Sequence, residues 1–202
     1  MPLTLEELRR RFVGAVPHSE SLYGDEGTRP GREALTPAAV LIPIVAREPA
    51  GDAGLTVIFT RRAAHLKAHS GQVSFPGGRA AAGDSSAEAT ALRETREEIG
   101  LDSARVELLG RLADYHTRTG YLVTPVVGVI APPFELTADA NEVDEIFEVP
   151  LVFLLDPANH QRQSREWQGE QRWFFSMQYE RHTIWGATAG MLVNLARHLS
   201  HG

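Results

Sequence analysis

The segment LRETREEIG, residues 92–100, places Glu94, Glu97 and Glu98 close together. On an α-helix, Glu94 and Glu98 are neighbours, and like charges at that spacing destabilise a helix by roughly 0.2–0.5 kcal/mol per pair. Arg93 lies four positions before Glu97 and can pair with it, which leaves Glu94 and Glu98 sharing one face. Such a pair of carboxylates suits a hard divalent cation. The spacing therefore predicts a Mg²⁺ site, with Mn²⁺ as a possible substitute.

A helix over residues 86–99 is expected to carry these glutamates. Ser85 and Glu88 form a predicted capping box at its start, and Gly100 stands where a helix commonly ends. A rotation of about 100° per residue gives this helix an apolar arc that faces a sheet. The arc consists of Ala91, Leu92, Thr95 and Ile99.

The segment GQVSFPGG, residues 71–78, precedes this helix and is expected to be a short strand that ends in a glycine turn. Glycines permit positive φ and a close approach of the backbone to a ligand, although Gly77 and Gly78 alone are more typical of an ordinary turn. Because the segment leads directly toward the helix, a backbone turn and a row of carboxylates are expected to converge on one site.

The remaining pattern indicates an α/β protein with a mixed sheet flanked by helices. We expect one domain over residues 1–202, with an N-terminal helix and loop at 1–37 and a catalytic core at 38–200. Thr4 and Glu7 form a capping box for the first helix. Apolar runs predict the other elements: strands at 38–46, 55–61, 105–116 and 121–131, a loop at 17–33, and a C-terminal helix at 187–200.

Composition narrows the class of partner. The net charge of −6 argues against nucleic-acid binding, so a small-molecule substrate is expected. The chain has no cysteine, which excludes disulfides and thiolate chemistry. No uncharged apolar run is long enough to span a bilayer, and no signal peptide is evident, so a cytoplasmic location away from membranes is expected. Monomer and homodimer both remain open.

Gly78 followed by LRETREEIGL resembles the Nudix box, G-x5-E-x7-R-E-U-x-E-E-x-G-U, where U is apolar. Arg93, Glu94, Glu97, Glu98 and Gly100 match the box residue by residue. Three features depart from it: the distance from Gly78 to Arg93 is one position longer, Asp84 stands where the first glutamate would be counted, and Thr95 occupies the apolar position. The resemblance implies the Nudix fold, an α/β/α sandwich, and cation-dependent hydrolysis of a nucleoside diphosphate linked to another moiety.

The upstream run FTRRAAHLKAHSGQVSFPGG, residues 59–78, is similar to the motif of the coenzyme A pyrophosphatase subgroup of Nudix hydrolases, whose box has the same longer spacing. NEVDEIFEVPL and HTIWGATAGML also resemble that subgroup. The resemblance implies cleavage of coenzyme A to 3′,5′-ADP and 4′-phosphopantetheine. ADP-ribose and NADH are alternative substrates, and a catalytically silent nucleotide-binding module is the alternative from another class.

The resemblance also implies roles for individual residues. Glu94 and Glu98 are expected to bind the metal, with Glu97 either a further ligand or held by Arg93, and with the Gly78 carbonyl completing the set. The general base is expected to be Glu142, ahead of Glu145, because relatives bring a carboxylate from this region; Glu98 is the alternative base.

The substrate phosphates are expected to bind a local group of donors upstream of the glycine turn. Arg61 and Arg62 are the strongest candidates because guanidinium groups match phosphate oxygens. Lys67 and His69 are the further candidates.

Overall fold

The protein is described by a computed structural model that covers residues 3–13, 35–47, 54–66, 69–167 and 169–200. The helices are α1 (Leu5–Phe12), α2 (Ala87–Ile99), α3 (Leu151–Leu155) and α4 (Ala187–Ser200). The strands are β1 (Thr36–Ala46), β2 (Leu55–Arg62), β3 (Val73–Ser74), β4 (Gly77–Arg79), β5 (Val106–Arg111), β6 (Tyr115–His116), β7 (Tyr121–Ile130), β8 (Val143–Pro150), β9 (Gln161–Trp167), β10 (Glu170–Tyr179) and β11 (His182–Trp185). Within these ranges, no helix has the length and apolarity needed to cross a bilayer.

The first eight strands form one mixed sheet around β1. β1 pairs in parallel with β7, and antiparallel with β2 over Ile44, Val45 and Ala46 and with β4 over Ala38, Ala39 and Val40. β8 pairs antiparallel with β2, while β5 and β6 pair antiparallel with β7. β1 therefore has two different partners along one edge, and the glycine turn that includes β4 occupies the part of this edge that β2 leaves free.

Helices cover both faces of this sheet. On one face, Leu41, Ile58 and Val126 belong to an apolar cluster with Ala91 and Ile99 of α2. The opposite face buries alternate residues of the same strands with the apolar sides of α1, α3 and α4, including Ile42, Val57, Val127, Leu8, Leu154, Leu192 and Leu195. Each fully buried Leu or Ile contributes roughly 1.5–3 kcal/mol. The predicted α/β/α sandwich with a mixed sheet is confirmed.

A second sheet, which the sequence patterns did not predict, consists of β9, β10 and β11 in antiparallel order. Its inner face places Met177 and Ile184 in the same core as α4. The hydroxyl of Thr188 donates to the carbonyl of Val73, which ties the start of α4 to β3 in the main sheet.

Most predicted elements are present, with local differences. Thr4 caps α1 by accepting from the N–H of Glu7, but the Glu7 carboxylate pairs with Arg11 instead of completing a capping box. The expected strand at 105–116 is divided into β5 and β6. The predicted loop at 17–33 lies outside the described residues.

Candidate active site

Helix α2 carries the glutamate row and begins one residue later than predicted. Ser86 is its N-cap and accepts from the N–H of Ala89, so the predicted capping box with Ser85 is wrong by one position. Gly100 ends the helix in the left-handed conformation, as expected. Ala91, Thr95 and Ile99 are buried, whereas Leu92 is only partly buried.

Arg93 links four groups around the first turns of α2. Its Nε and Nη2 donate to the two carboxylate oxygens of Asp84 at 3.0 and 2.9 Å, and its Nη1 donates to Glu94 at 2.8 Å and to Glu97 at 3.0 Å. Nη2 also donates to the carbonyl of Arg79 in β4. The predicted Arg93–Glu97 pair is present, but the expectation that Glu94 would be left unpaired is wrong.

Asp84 therefore acts as the acidic partner of the arginine, despite the changed spacing in this part of the chain. Besides Arg93, it accepts from the N–H of Ala81 at 2.8 Å and from the hydroxyl of Thr90 at 2.9 Å. The Arg93 guanidinium, followed by the Ala81 N–H, holds the pKa of Asp84 well below its usual range. The carboxylate thus fixes the chain before α2 to the helix.

Glu98, one helical turn after Glu94 on α2, is only 4% exposed. Its carboxylate accepts from the N–H of Gly77 at 3.3 Å and lies 3.9 Å from the Arg62 guanidinium. Burial raises the pKa of Glu98 to about 8 because it disfavours the charged form; the Gly77 N–H and Arg62 act in the opposite direction, and the charges of Glu142 and Glu94 raise it further. A bound cation would stabilise the charged form of this buried acid against the charges of Glu142 and Glu94.

Glu142 is brought to this site by the segment that follows β7. The N–H groups of Thr137 and Asp139 donate to the carbonyls of Ile99 and Glu98, so this segment binds the C-terminal end of α2. Asp139 then accepts from both the backbone and the side chain of Asn141, which forms a turn ahead of β8. The carbonyl of Glu142 accepts from the N–H of Ala63, just after β2. The family resemblance pointed to Glu142, but the sequence did not predict these contacts. The Asp-x-Asn spacing of residues 139–141 is the local signal for the turn.

The glycine turn lies directly against the glutamates. A Cβ on Gly78 would overlap the carboxylate of Glu94, and a Cβ on Gly77, whose φ is 156°, would overlap the backbone of β1. Both positions therefore require glycine for close approach. They are more than the ordinary turn that their sequence alone would suggest, because they bring the backbone against Glu94 and β1. β4 places the Gly78 backbone next to a carboxylate, as the sequence predicted.

The predicted phosphate donors do not form one cluster. Arg62 faces Glu98, whereas Arg61 faces Glu145 on β8, 3.3 Å from its carboxylate. This division follows from the alternation of side chains along β2. His69 has a positive φ of 58° and bonds the side chain of Gln72. Lys67 lies outside the described residues.

The residues present fit a hard divalent cation. Among the described residues, no three acidic or histidine side chains are already arranged as a complete set of ligands. The donors are nevertheless carboxylates beside a backbone turn, as Mg²⁺ and Mn²⁺ prefer. Glu98 fits this chemistry, because a cation beside this buried carboxylate would favour its charged form.

Comparisons with known proteins show the family of this chain. The sequence model of the NUDIX domain matches residues 35–183. A protein of Photorhabdus laumondii named uncharacterized Nudix hydrolase NudL is 41% identical over 160 residues, which cover 79% of this chain and 83% of that protein. The NudL of Escherichia coli K12 is 41% identical over 159 residues, covering 79% and 80%. The chain therefore belongs to the Nudix hydrolase family.

The solved structures to which the chain is similar are more distant in sequence. A Nudix hydrolase from M. smegmatis, RenU, is 20% identical with a TM-score of 0.48, over 66% of this chain and 81% of that chain. A binary complex of the C. elegans Ap4A hydrolase is 17% identical with a TM-score of 0.47, over 57% and 80%.

Proposed function

We propose that this Nudix hydrolase cleaves the diphosphate bond of coenzyme A or a derivative of it, giving 3′,5′-ADP and 4′-phosphopantetheine. The observation that carries the proposal is the buried Glu98, which contacts the glycine turn and Arg62 and is influenced by the charges of Glu94 and Glu142. The substrate choice rests on the similarity of residues 59–78 to the coenzyme A subgroup. The site and this motif meet at Arg62 and Gly77, which both contact Glu98.

Glu94 and Glu98 are proposed as the metal ligands, with the carbonyl of Gly78 and Glu97 as the further candidates. Glu97 is 60% exposed and bonded to Arg93, so its part is the more peripheral one. Bound Mg²⁺ would neutralise the diphosphate and lower the pKa of a water ligand. Arg93 would hold Glu94 and Glu97 in place, and Arg62 would bind a phosphate oxygen, because its Nε is buried without a hydrogen-bond partner. His69 and Lys67 remain candidate substrate contacts on the segment before β3.

Glu142 is proposed as the general base. Its side chain is exposed on the turn before β8, where a water and a substrate have access, whereas Glu145 is already engaged by Arg61, Arg181 and His182. As water attacks phosphorus, Glu142 would accept its proton, one new P–O bond would form, and the bridging P–O bond would break. Glu98 is the alternative base, and the variants described next distinguish the two.

The test is hydrolysis of coenzyme A, ADP-ribose and NADH with and without Mg²⁺, with products separated by chromatography. We expect Mg²⁺-dependent release of 3′,5′-ADP from coenzyme A, with the other substrates slower. Faster cleavage of ADP-ribose or NADH would overturn the substrate assignment but retain the site. No cleavage of any of them would favour a silent nucleotide-binding module.

Two variants test the roles of the acids. Glu98→Gln is expected to lower kcat by at least about 10³-fold and to weaken Mg²⁺ binding, because it removes a metal ligand. Glu142→Gln is expected to lower kcat by about 10²–10⁴-fold without weakening Mg²⁺ binding, because it removes a base. Near-normal turnover of Glu98→Gln would contradict its assignment. If Glu142→Gln retains normal turnover, Glu98 becomes the better candidate for the base.

The proposal extends to the protein as a whole. A single catalytic domain would act on a dissolved nucleotide derivative, in keeping with a cytoplasmic location. The protein would be a monomer or a homodimer, and its mass in solution distinguishes the two.

A further inference from the structure

A cavity of about 420 Å³ lies between the edge strand β3 and strand β11 of the second sheet. Arg61, Gln72, Arg181, His182, Thr183 and Trp185 contribute to its lining. The volume falls within the usual range for small-molecule sites, about 300–1,000 Å³. The Thr188–Val73 hydrogen bond ties the start of α4, which directly follows β11, to β3 next to the cavity, so these walls are already in place.

The cavity carries an excess of positive charge. Arg61 and Arg181 both pair with the single carboxylate of Glu145, Arg61 at 3.3 Å and Arg181 at closer range. One acid therefore serves two guanidinium groups, and one positive charge remains in a protein whose overall charge is negative. Arg61 faces Glu145 with its Nε, which is buried, so its terminal nitrogens are the donors available to a ligand. Guanidinium groups with unused donors bind phosphate oxygens strongly.

His182 adds a buried ring nitrogen, Nδ1, that has no hydrogen-bond partner. The residue is 7% exposed, its ring stacks on Phe147 at 3.7 Å, and its Nε2 lies 3.3 Å from Glu145. A buried polar atom left without a partner costs free energy unless a ligand or water satisfies it.

Trp185 gives the cavity an aromatic surface. The indole is 40% exposed, and Phe174 packs against it edge-on, with the ring planes at 61° and the centroids 5.6 Å apart. Aromatic side chains of this kind stack on nucleobases. An arginine pair and an exposed indole in one cavity are the combination that a phosphorylated nucleoside would fit.

The same two segments of the chain contribute residues to the cavity and to the candidate active site. Arg61 and Arg62 are consecutive, and the first lines the cavity while the second reaches Glu98. On the facing segment, Gln72 and Val73 line the cavity, and Gly77 donates to Glu98. Because Arg61 and Arg62 point to opposite sides of β2, a ligand that contacts both places would pass around the end of this strand, where Arg62 is the last residue.

We propose that this cavity binds the nucleotide end of the substrate, with a phosphomonoester remote from the scissile diphosphate held by Arg61 and Arg181 and the base stacked on Trp185. The proposal rests on the proposed function, because it requires a nucleoside diphosphate derivative as substrate. It deepens that function by assigning a place to a second phosphate group.

The first test measures binding of 3′,5′-ADP and of 5′-AMP by calorimetry, so that it does not depend on turnover. The two nucleotides differ only in the remote phosphate. We expect 3′,5′-ADP to bind at least about tenfold more tightly to the wild-type protein and expect this ratio to approach one in Arg181→Ala. Arg181 is 76% exposed, so this substitution leaves the fold intact. A similar ratio in both proteins, or equal binding of both nucleotides to the wild type, would overturn the proposal.

Two further variants make the test specific. Arg165→Ala is the matched control, because Arg165 is an exposed arginine on β9 and does not line the cavity; the ratio should be unchanged. Trp185→Ala should weaken both nucleotides by roughly tenfold and leave their ratio unchanged, because it removes base stacking alone. Unaltered binding of both nucleotides to Trp185→Ala would exclude the assignment of the base.

The same variants separate this proposal from the proposed function. Comparison of kcat/KM for coenzyme A and for coenzyme A lacking its 3′-phosphate should show a lower ratio in Arg181→Ala than in the wild type. Mg²⁺-dependent cleavage of coenzyme A with no change in this ratio would support the proposed function and contradict the proposal that the cavity binds the remote phosphate. Nucleotide binding as expected, without cleavage of coenzyme A, would keep the cavity and reject the substrate.

Discussion

Asp84 joins the loop before α2 to the helix through one carboxylate, by accepting from Ala81 in the loop and from Thr90 and Arg93 on α2. Arg93 in turn holds Glu94 and Glu97. The acid that departs from the Nudix box in type and spacing therefore positions the arginine that contacts the proposed metal ligands. Its effect on catalysis is indirect.

Replacement of Asp84 by Asn should lower both thermal stability and activity. The amide cannot accept from Arg93 with two charged oxygens, so the guanidinium loses its orientation. We expect Tm to fall by several degrees and kcat/KM to fall by about tenfold, a loss of about 1.4 kcal/mol of transition-state stabilisation. Asp84→Glu, which keeps the charge, should retain more activity than Asp84→Asn. Equal losses in the two variants would show that the charge is not what matters.

Glu98 should give the metal-free protein a distinctive dependence on pH. Burial raises its pKa from 4.5 to about 8, so the folded protein binds the proton more tightly than the unfolded chain. The contribution of Glu98 to stability is therefore most favourable below 4.5 and declines as pH rises toward 8. Glu98→Gln removes this penalty and should be more stable than the wild type at high pH, by on the order of a few kcal/mol. Unfolding in the presence of a chelator, at several pH values, measures the difference; a constant difference across pH would contradict it.

At the residue scale, the sequence was sufficient to find the carboxylates but not their neighbours. Spacing on a helix predicted the Arg93–Glu97 pair because that contact is local. The contacts of Glu98 with Gly77 and Arg62 join distant parts of the chain, and no local period reports them.

Among the elements, the β4 turn packs its backbone against the glutamates of helix α2. Gly78 makes this contact possible, since a side chain there would overlap the Glu94 carboxylate. Because that carboxylate is also bonded to Arg93, it cannot move aside without losing a hydrogen bond.

Gly78→Ala should therefore reduce activity more than stability. We expect kcat/KM to fall by at least about tenfold, with a modest change in Tm, because the added methyl displaces a flexible side chain and not the backbone. Gly83→Ala is the matched control, because a Cβ at Gly83 meets nothing within 4 Å. Activity assays and thermal unfolding of both variants provide the comparison. Equal activity in the two variants would argue against a close role for Gly78.

The elements differed in how well the sequence predicted them. Helices α2 and α4 were clear because their caps and apolar periods are local signals. The second sheet was missed because its strands lack long apolar runs: β9 (QRQSREW) is polar except for its last residue, and β10 has only the short run Trp173–Phe175. β9 is held in the sheet by its pairing with β10, and the sheet packs against α4.

For the molecule as a whole, occupation of the site by a metal should be coupled to stability. A ligand that binds only the folded state stabilises it by about 2.7 kcal/mol at a hundred times its Kd. We therefore expect Mg²⁺ to raise the Tm of the wild type and to have little effect on Glu98→Gln. Thermal unfolding over a Mg²⁺ series measures this, with Gly83→Ala as a control that should respond like the wild type. An identical rise in Glu98→Gln would place the stabilising metal elsewhere.

Sequence patterns predicted the sandwich class but not the order in which its strands pair. Apolar strands alternating with amphipathic helices indicate two covered faces. The parallel pairing of β1 with β7 and the division of one edge of β1 between β2 and β4 depend on which strands meet in space.

That parallel pairing also determines when the site can form during synthesis. Thr36 of β1 is matched with Tyr121 of β7, and the turn that carries Glu142 follows β7. A ribosome adds about 5–20 residues per second, so helix α2 emerges seconds before the strand that completes its support and the acid that faces it. A nascent chain thus has the whole of helix α2 while it still lacks β7 and the turn that carries Glu142.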